Sequence, residues 1–346
     1  MFFASDNSGP APQQILDALA AANTGYAAAY GSDPLTAEVQ ARIREIFEAP
    51  QAAVHLVATG TAANALALAT LAEPWQTVFC TRVAHIHEDE CNAPEFYSGA
   101  KLTLVGDGDR MSSDALRAAI EAEGTRGVHG PQRGPVSITQ ATERGTVYSL
   151  DELRALCDAA RAHGLPVHMD GARFANALVA LGCSAAEMTW KAGVDAVSFG
   201  ATKNGCLGVE AVVLFDPAKA WELELRRKRG AHLFSKHRYL AAQMAAYLRD
   251  DLWLDLAGRA NVNCARLAAG LRGAGATLLH EPQANMIFAA FPRALHRRLH
   301  AAGAVYHLWG SGTLEGEDAD EMLPCRLVCD WSLPEAEIDR FLALLR

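Results

Sequence analysis

Between Gln51 and Asp216 short apolar or β-branched runs alternate with alanine- and leucine-rich stretches. That alternation constrains the fold most. A strand that is apolar on both faces must be covered on both, and a helix that returns the chain between two such strands leaves them parallel. The strand runs are AAVHLVA (52–58), TVFCT (77–81), KLTLVG (101–106), GPVSITQ (134–140), LPVHMDGA (165–172), DAVSFGA (195–201) and AVVLFD (211–216). Helical runs TAANALALATLA, SSDALRAAIEAE and SLDELRALCDAARAHG fall between them, the last two opening on serine with acids close behind, a capping pattern. The spacing predicts an α/β fold with a large, mostly parallel sheet clothed in helices.

Past Pro217 the pattern changes to long helices, WELELRRKRG and then the run from Lys236 to Gly275, followed by the short runs ANMIFAAF, ALHRRLHAAG, PCRLVCDW and EAEIDRFLALLR. This predicts a large domain over 1–249 and a smaller α+β C-terminal domain over 250–346.

Composition narrows the function. The 346 residues carry a formal net charge of −9, and the densest basic run, Arg226 to Arg229, follows the acidic WELEL on one helix. A solvated helix face explains that run better than a phosphate-binding patch, so nucleic acid is not an expected partner. No apolar run reaches the roughly eighteen residues of a membrane span, and the opening MFFASDNSGP has no basic-then-apolar leader. The eight cysteines form no CxxC pair and read as reduced side chains of a cytoplasmic protein.

In open α/β sheets ligands bind beyond the carboxyl ends of the strands, so the residues just after each run matter most. After AAVHLVA stand Gly60 and Thr61 at the start of a helix, where free N–H groups and the helix dipole favour an anion. After LPVHM stands Asp170, which needs a donor or cation if it is buried; a turn-forming Asp-Gly or an ion pair with Arg173 would satisfy it without any ligand. His168 on the same run is expected to face the other way as a core histidine. After DAVSFGA stands Lys203. The other five lysines fit helix faces, basic helical surroundings or a strand start. An inward lysine, an earlier aspartate and an anion-binding helix start together suit pyridoxal 5'-phosphate, whose aldehyde, ring nitrogen and phosphate need those three groups.

The series YGSDPLT, ATGTAANALAL, Ala84-His85, HMDGARFANA and FGATKNG resembles the PLP-dependent threonine aldolases of fold type I, in the β-eliminating-lyase superfamily. HEDECNAPEF, VSITQATERGTVYSLDEL and CSAAEMTWKAGVD are similar to the bacterial low-specificity L-threonine (phenylserine) aldolase branch. The resemblance runs from ASDN to CRLVCDW, nearly the whole chain.

It implies that Lys203 links covalently to the cofactor, Asp170 pairs with the pyridine nitrogen, and Gly60, Thr61 and Thr202 hold the phosphate. His85 would lie over the ring, able to relay a proton to or from the substrate hydroxyl. Arg173 and Arg326 would grip the substrate carboxylate with Ser5, although Arg326 also reads as a surface arginine. Tyr30, Asp6 and Asp33 would lie near the site or reach a neighbouring subunit of a homotetramer with sites at dimer interfaces. The activity implied is cleavage of L-threonine, L-allo-threonine and phenylserine to glycine and an aldehyde; another fold-type-I PLP enzyme, a β-eliminating lyase or aminotransferase, is the alternative. HIHEDE also invites a metal reading, but with His85 and His87 on one strand face it lacks a fitting third ligand, and no metal site is expected. One departure stands out. Where more familiar members carry a histidine after the GPVSITQ strand, this chain is read as having Gln140, which could position a substrate but not act as a base.

Overall fold

The computed structural model describes residues 1–345. Its larger sheet is built from β1 (Ala53–Val57), β2 (Gln76–Cys80), β3 (Lys101–Leu104), β4 (Gln132–Thr139), β5 (Val167–Gly171), β6 (Ala196–Gly200) and β7 (Glu210–Leu214). The order is β1-β7-β6-β5-β4-β2-β3. All neighbours are parallel except β7, which runs antiparallel to both β1 and β6. The reason is length. Only the short segment from Gly200 to Glu210 joins β6 to β7, and a parallel crossover needs about a dozen residues or more.

Helices are α1 (Gln13–Ala22), α2 (Pro34–Ile46), α3 (Gly60–Leu71), α4 (His85–Glu88), α5 (Ala93–Ser98), α6 (Ser113–Ala122), α7 (Leu150–Arg161), α8 (Phe174–Leu181), α9 (Ala185–Met188), α10 (Ala220–Arg229), α11 (Arg238–Leu248) and α12 (Leu252–Gly273). Alternation along the strands splits their side chains between two layers. Val54, Leu56, Phe79, Val197 and Phe199 join one core with residues of α2, α7, α8 and α11. Ala53, Val57, Ala196, Val212 and Leu214 face α3 and α10. Helix α3 is buried nearly all round from Ala62 to Thr70, which its alanine-rich, polar-poor sequence permits. Ser149 and Glu152 form a reciprocal capping box on α7, whereas Ser112 alone caps α6.

The long run from Lys236 does not make one helix. Asp250 and Asp251 take left-handed backbone angles (φ 52° and 56°) and break it between α11 and α12. Aspartate tolerates that region better than most side chains. Along α12, Trp253, Leu256 and Ala257 join the large core, and Cys264, Leu267 and Leu271 join a second one. That second core lies under the antiparallel sheet β10-β11-β9-β8, formed by β8 (Thr277–Leu278), β9 (Met286–Pro292), β10 (His307–Leu308) and β11 (Met322–Val328), with α13 (Arg293–Ala301) and α14 (Glu335–Ala343). Phe3 belongs to it as well, because Phe2 bridges Val305. The N-terminal segment is thereby carried along the C-terminal unit to the mouth of the large sheet.

Candidate functional site

Register brings the strand ends together: Glu210 on β7 pairs with Val57 on β1 and with Gly200 on β6. Lys203 sits in the tight turn that follows β6. The turn is anchored by Asn204, whose side-chain amide donates to the Tyr247 hydroxyl and the Trp253 carbonyl, each at 2.8 Å. Gly205 follows at φ 114°, and a Cβ there would lie 3.0 Å from Pro12 and 3.2 Å from Leu256, so the conformation and the space both call for glycine. The Ala201 N–H donates to Glu210 Oε2 at 2.7 Å. Burial lowers the pKa of the Lys203 ammonium, and the Arg173 guanidinium pushes the same way, against Asp6, Asp170 and Glu210. This amine is more readily neutral than an exposed lysine.

Asp170 is buried at the end of β5. Its Oδ2 accepts from Asn64 Nδ2 of α3 at 2.9 Å, and its Oδ1 from the Ala172 N–H at 3.0 Å. The ion pair with Arg173 that the sequence allowed is not formed. Arg173 instead forks onto Asp6, with Nε to Oδ2 at 2.7 Å and Nη2 to Oδ1 at 3.0 Å. His168 is a core histidine, held between the hydroxyls of Ser137 and Ser198 at 3.0 and 2.9 Å, and burial pushes its pKa down to about 4. It does not face away from Asp170, however. Residues two apart on a strand share a face, and Ser198, its partner, pairs with Asp170 in register.

Asn64 Nδ2 also donates to Glu90 Oε1 at 2.9 Å, and Glu90 Oε1 lies 2.8 Å from His85 Nδ1. A continuous polar chain therefore links Asp170, Asn64, Glu90 and His85. The Glu90 hydrogen bond raises the His85 pKa, partly offset by burial, while burial raises that of Glu90. His85 opens the short helix α4 and is not on a strand, so His87 does not share its face; His87 Nδ1 contacts the Arg82 carbonyl at 2.8 Å. Among the described residues no three His, Cys, Asp or Glu side chains gather to hold a metal ion.

A cavity of about 350 Å³ collects Ser5, His85, Glu143, Arg173, Lys203 and Arg326 from both sheets and the N-terminal segment. Arg326 is no surface residue: it lies 5.4 Å from the Trp309 ring centre, Nη2 donates to the Ala4 carbonyl at 3.2 Å, and its buried Nε has no protein partner. Ser5 accepts from the Asn7 N–H at 3.1 Å. Gly60, Thr61, Asp170 and Thr202 do not line this cavity; they occupy the neighbouring strand ends. Asp33 caps α2 through the Thr36 N–H at 2.9 Å. Tyr30 lies outside the cavity, half exposed, with Lys228 Nζ 4.8 Å from its ring centre. Wider clefts of about 430 and 580 Å³ flank the α11–α12 break, but no lysine, histidine or cysteine lines them.

Gln140 does not position anything in the cavity. It is fully buried, and its amide clamps the Tyr148 backbone, Nε2 to O at 2.9 Å and N to Oε1 at 3.0 Å. Three residues later, Glu143 reaches the site. Its Oε1 accepts from Thr139 Oγ1 at 2.7 Å and from the His85 N–H at 2.9 Å, and burial drives its pKa up to about 7. Asn64, Glu90 and Glu143 are side chains at this site that sequence reasoning did not place there, and Asp6, expected near it, takes the role of partner to Arg173. Only the position of Glu143, the first titratable residue after β4, signalled any of them.

The residues fit pyridoxal phosphate. Thr59 caps the Ala62 N–H, which leaves the first N–H groups of α3 without an intrahelical partner, and no atom lies within 4 Å of where a Gly60 Cβ would stand. The Asn64 Oδ1 and Glu143 Oε2 atoms are buried without partners; Asn64 donates to Asp170 through its Nδ2, and Glu143 shares the cavity with Lys203.

The model of the beta-eliminating lyase family matches residues 3–293. The chain is 40% identical over 349 residues to the low specificity L-threonine aldolase of Pseudomonas aeruginosa, covering 99% of this chain and 96% of that protein. It matches the threonine aldolase of Leishmania major with a TM-score of 0.92 at 27% identity, over 99% of this chain and 98% of that one. A structure of SPT with PLP shares the fold at 15% identity, with a TM-score of 0.71 over 100% of this chain and 86% of that one.

Proposed function

This chain belongs to the beta-eliminating lyase family, and from that premise we propose that it is a pyridoxal-phosphate-dependent aldolase. It cleaves L-threonine, L-allo-threonine and other β-hydroxy-α-amino acids, phenylserine among them, to glycine and an aldehyde. The observation that carries this reading is Lys203, a buried amine of lowered pKa that shares one cavity with Arg326 and His85 and feels the field of Asp170.

When bound, the cofactor supplies an electron sink conjugated to the substrate α-carbon. Lys203 would hold its aldehyde, for which the neutral amine that burial favours is needed. Asp170, oriented by Asn64 and the Ala172 N–H, would keep the pyridine nitrogen protonated. Gly60, Thr61 and Thr202 would hold the phosphate at the α3 N-terminus. His85 would face the cofactor ring, with Nδ1 committed to Glu90 and Nε2 left for the ligand. Arg326 offers an unused buried Nε to the substrate carboxylate, with Ser5 beside it. Arg173 is already forked to Asp6 through Nε and one Nη2 N–H, so the two Nη1 N–H groups and the second Nη2 N–H are left for that carboxylate. Fixing the carboxylate fixes which bond at the α-carbon is offered for cleavage.

The same reading includes a homotetramer with sites at dimer interfaces. Exposed Tyr26, Tyr30, Phe96 and Phe234 support it, because the segments that carry them are tied together. Arg238 donates to the Gly25 carbonyl, the Tyr30 N–H to the Ser235 carbonyl, and the Tyr97 hydroxyl to the Gly230 carbonyl. Such a patch marks an interaction surface. A cytoplasmic location is supported by eight unpaired cysteines; among the described residues no helix is long and apolar enough to cross a membrane.

The test is the release of glycine and aldehyde from L-threonine, L-allo-threonine and phenylserine with and without added pyridoxal phosphate. Cofactor-dependent release of both is expected. Keto acid or ammonia with no aldehyde would contradict the assignment.

A further inference from the structure

On the basis of that aldolase reading, we propose that Glu143 is the catalytic residue that takes the β-hydroxyl proton as the Cα–Cβ bond breaks. Its carboxylate is fixed by two donors on Oε1, Thr139 Oγ1 and the His85 N–H. Oε2 is buried and has no partner. The side chain lines the cavity that holds Lys203 and Arg326, and Oε2 is its one oxygen without a donor.

His85 is the obvious competitor, but one ring nitrogen is tied to Glu90 and its raised pKa favours the protonated ring. The titratable and charged groups around Glu143 are Cys80 from β2, His85 and Glu88 from α4, Asp89 just after it, Tyr148 before α7, Asp170 from β5, and Lys203, Arg144, Arg173 and Arg326 around the cavity. None of the four cations makes a hydrogen bond or ion pair to it among the described residues, and burial with the Asp170 field holds its pKa near 7, where an acid–base group works best at neutral pH.

In the step itself the hydroxyl proton passes to Oε2 and the O–H pair becomes the second bond of the aldehyde carbonyl. The Cα–Cβ pair stays on the α-carbon, which takes up one proton from solvent while Glu143 returns one. The sum is one amino acid to one aldehyde and one glycine, with no net proton.

Glu143→Gln keeps one acceptor for Thr139 and the His85 N–H and replaces Oε2 with an amide that cannot take a proton at neutral pH. With L-threonine and saturating pyridoxal phosphate, aldehyde release should fall roughly 10²-fold or more, and the acidic limb of the kcat profile near pH 7 should disappear. Exchange of the glycine α-proton with D₂O, which breaks no O–H bond of a β-hydroxyl, should fall far less than cleavage. Glu143→Asp, should the glutamine variant fold poorly, is expected to retain the acidic limb. Equal losses in cleavage and exchange, or an unchanged limb, would overturn the role. Wild-type protein that exchanges glycine but releases no aldehyde would instead refute the aldolase reading, and this role with it.

Discussion

His85 meets Glu90 at 2.8 Å in the cavity, and His55 meets Glu224 at 3.0 Å beneath α10, yet the two carboxylates are driven in opposite directions. Glu224 is held down to about 2 by the His55 ring 3.0 Å away, with the Arg227 guanidinium adding to it through both carboxylate oxygens at 3.1 and 2.9 Å. Its side chain is one-third exposed, so water shares the charge. The Glu90 side chain is fully buried, has no guanidinium partner, and feels the negative Asp170. Desolvation wins there, and the pKa rises. Pair geometry alone therefore says little about function; what distinguishes a proton-holding pair from a structural one is whether burial outweighs the available cations.

Breaking the cavity pair should have the larger consequence. His85→Asn is expected to retain bound cofactor and to slow aldehyde release by roughly 10², or to change the threo/erythro preference, as seen by steady-state rates on threonine and allo-threonine. Unchanged rate and selectivity would make this histidine a bystander. Glu90→Gln is a smaller perturbation, about tenfold in kcat, because His85 stays in place and loses only the partner that orders its ring. Its rate profile should show the His85 titration moved to lower pH, since the Glu90 bond is the largest cause of the present rise.

The remote pair should matter for stability alone. Glu224→Gln is expected to leave the aldolase rate unchanged and to cost about 1 kcal/mol at neutral pH, measured by denaturant unfolding. The folded pKa of Glu224 lies below the unfolded value, so its contribution is complete above about 4.5 and is lost as pH falls through about 2. The wild-type and variant stabilities should converge over that window. A rate loss in Glu224→Gln would erase the contrast between the two pairs.

Lys203 and Asp170 were legible because each ends an apolar strand run next to glycine, a place where a charged group has few structural reasons to be. The strands and most helices were legible for the same kind of local reason, through period and caps. Partnerships were not. Arg173 finds Asp6 across 167 residues, and nothing near either in sequence announces the pair. Glu143 looked like any loop acid until the strand register placed it beside His85, and Gln140 attracted attention that belonged three residues later. The antiparallel β7 follows from a short connection, a matter of chain length more than of residue type. The α11–α12 break rests on two aspartates whose left-handed backbone no hydrophobic period records.

The most direct measurement is borohydride reduction of the protein incubated with pyridoxal phosphate, followed by proteolysis and peptide mapping. One modified peptide is expected, carrying the cofactor on Lys203. A label on any other lysine, or none, would contradict the arrangement of groups on which every assigned role depends.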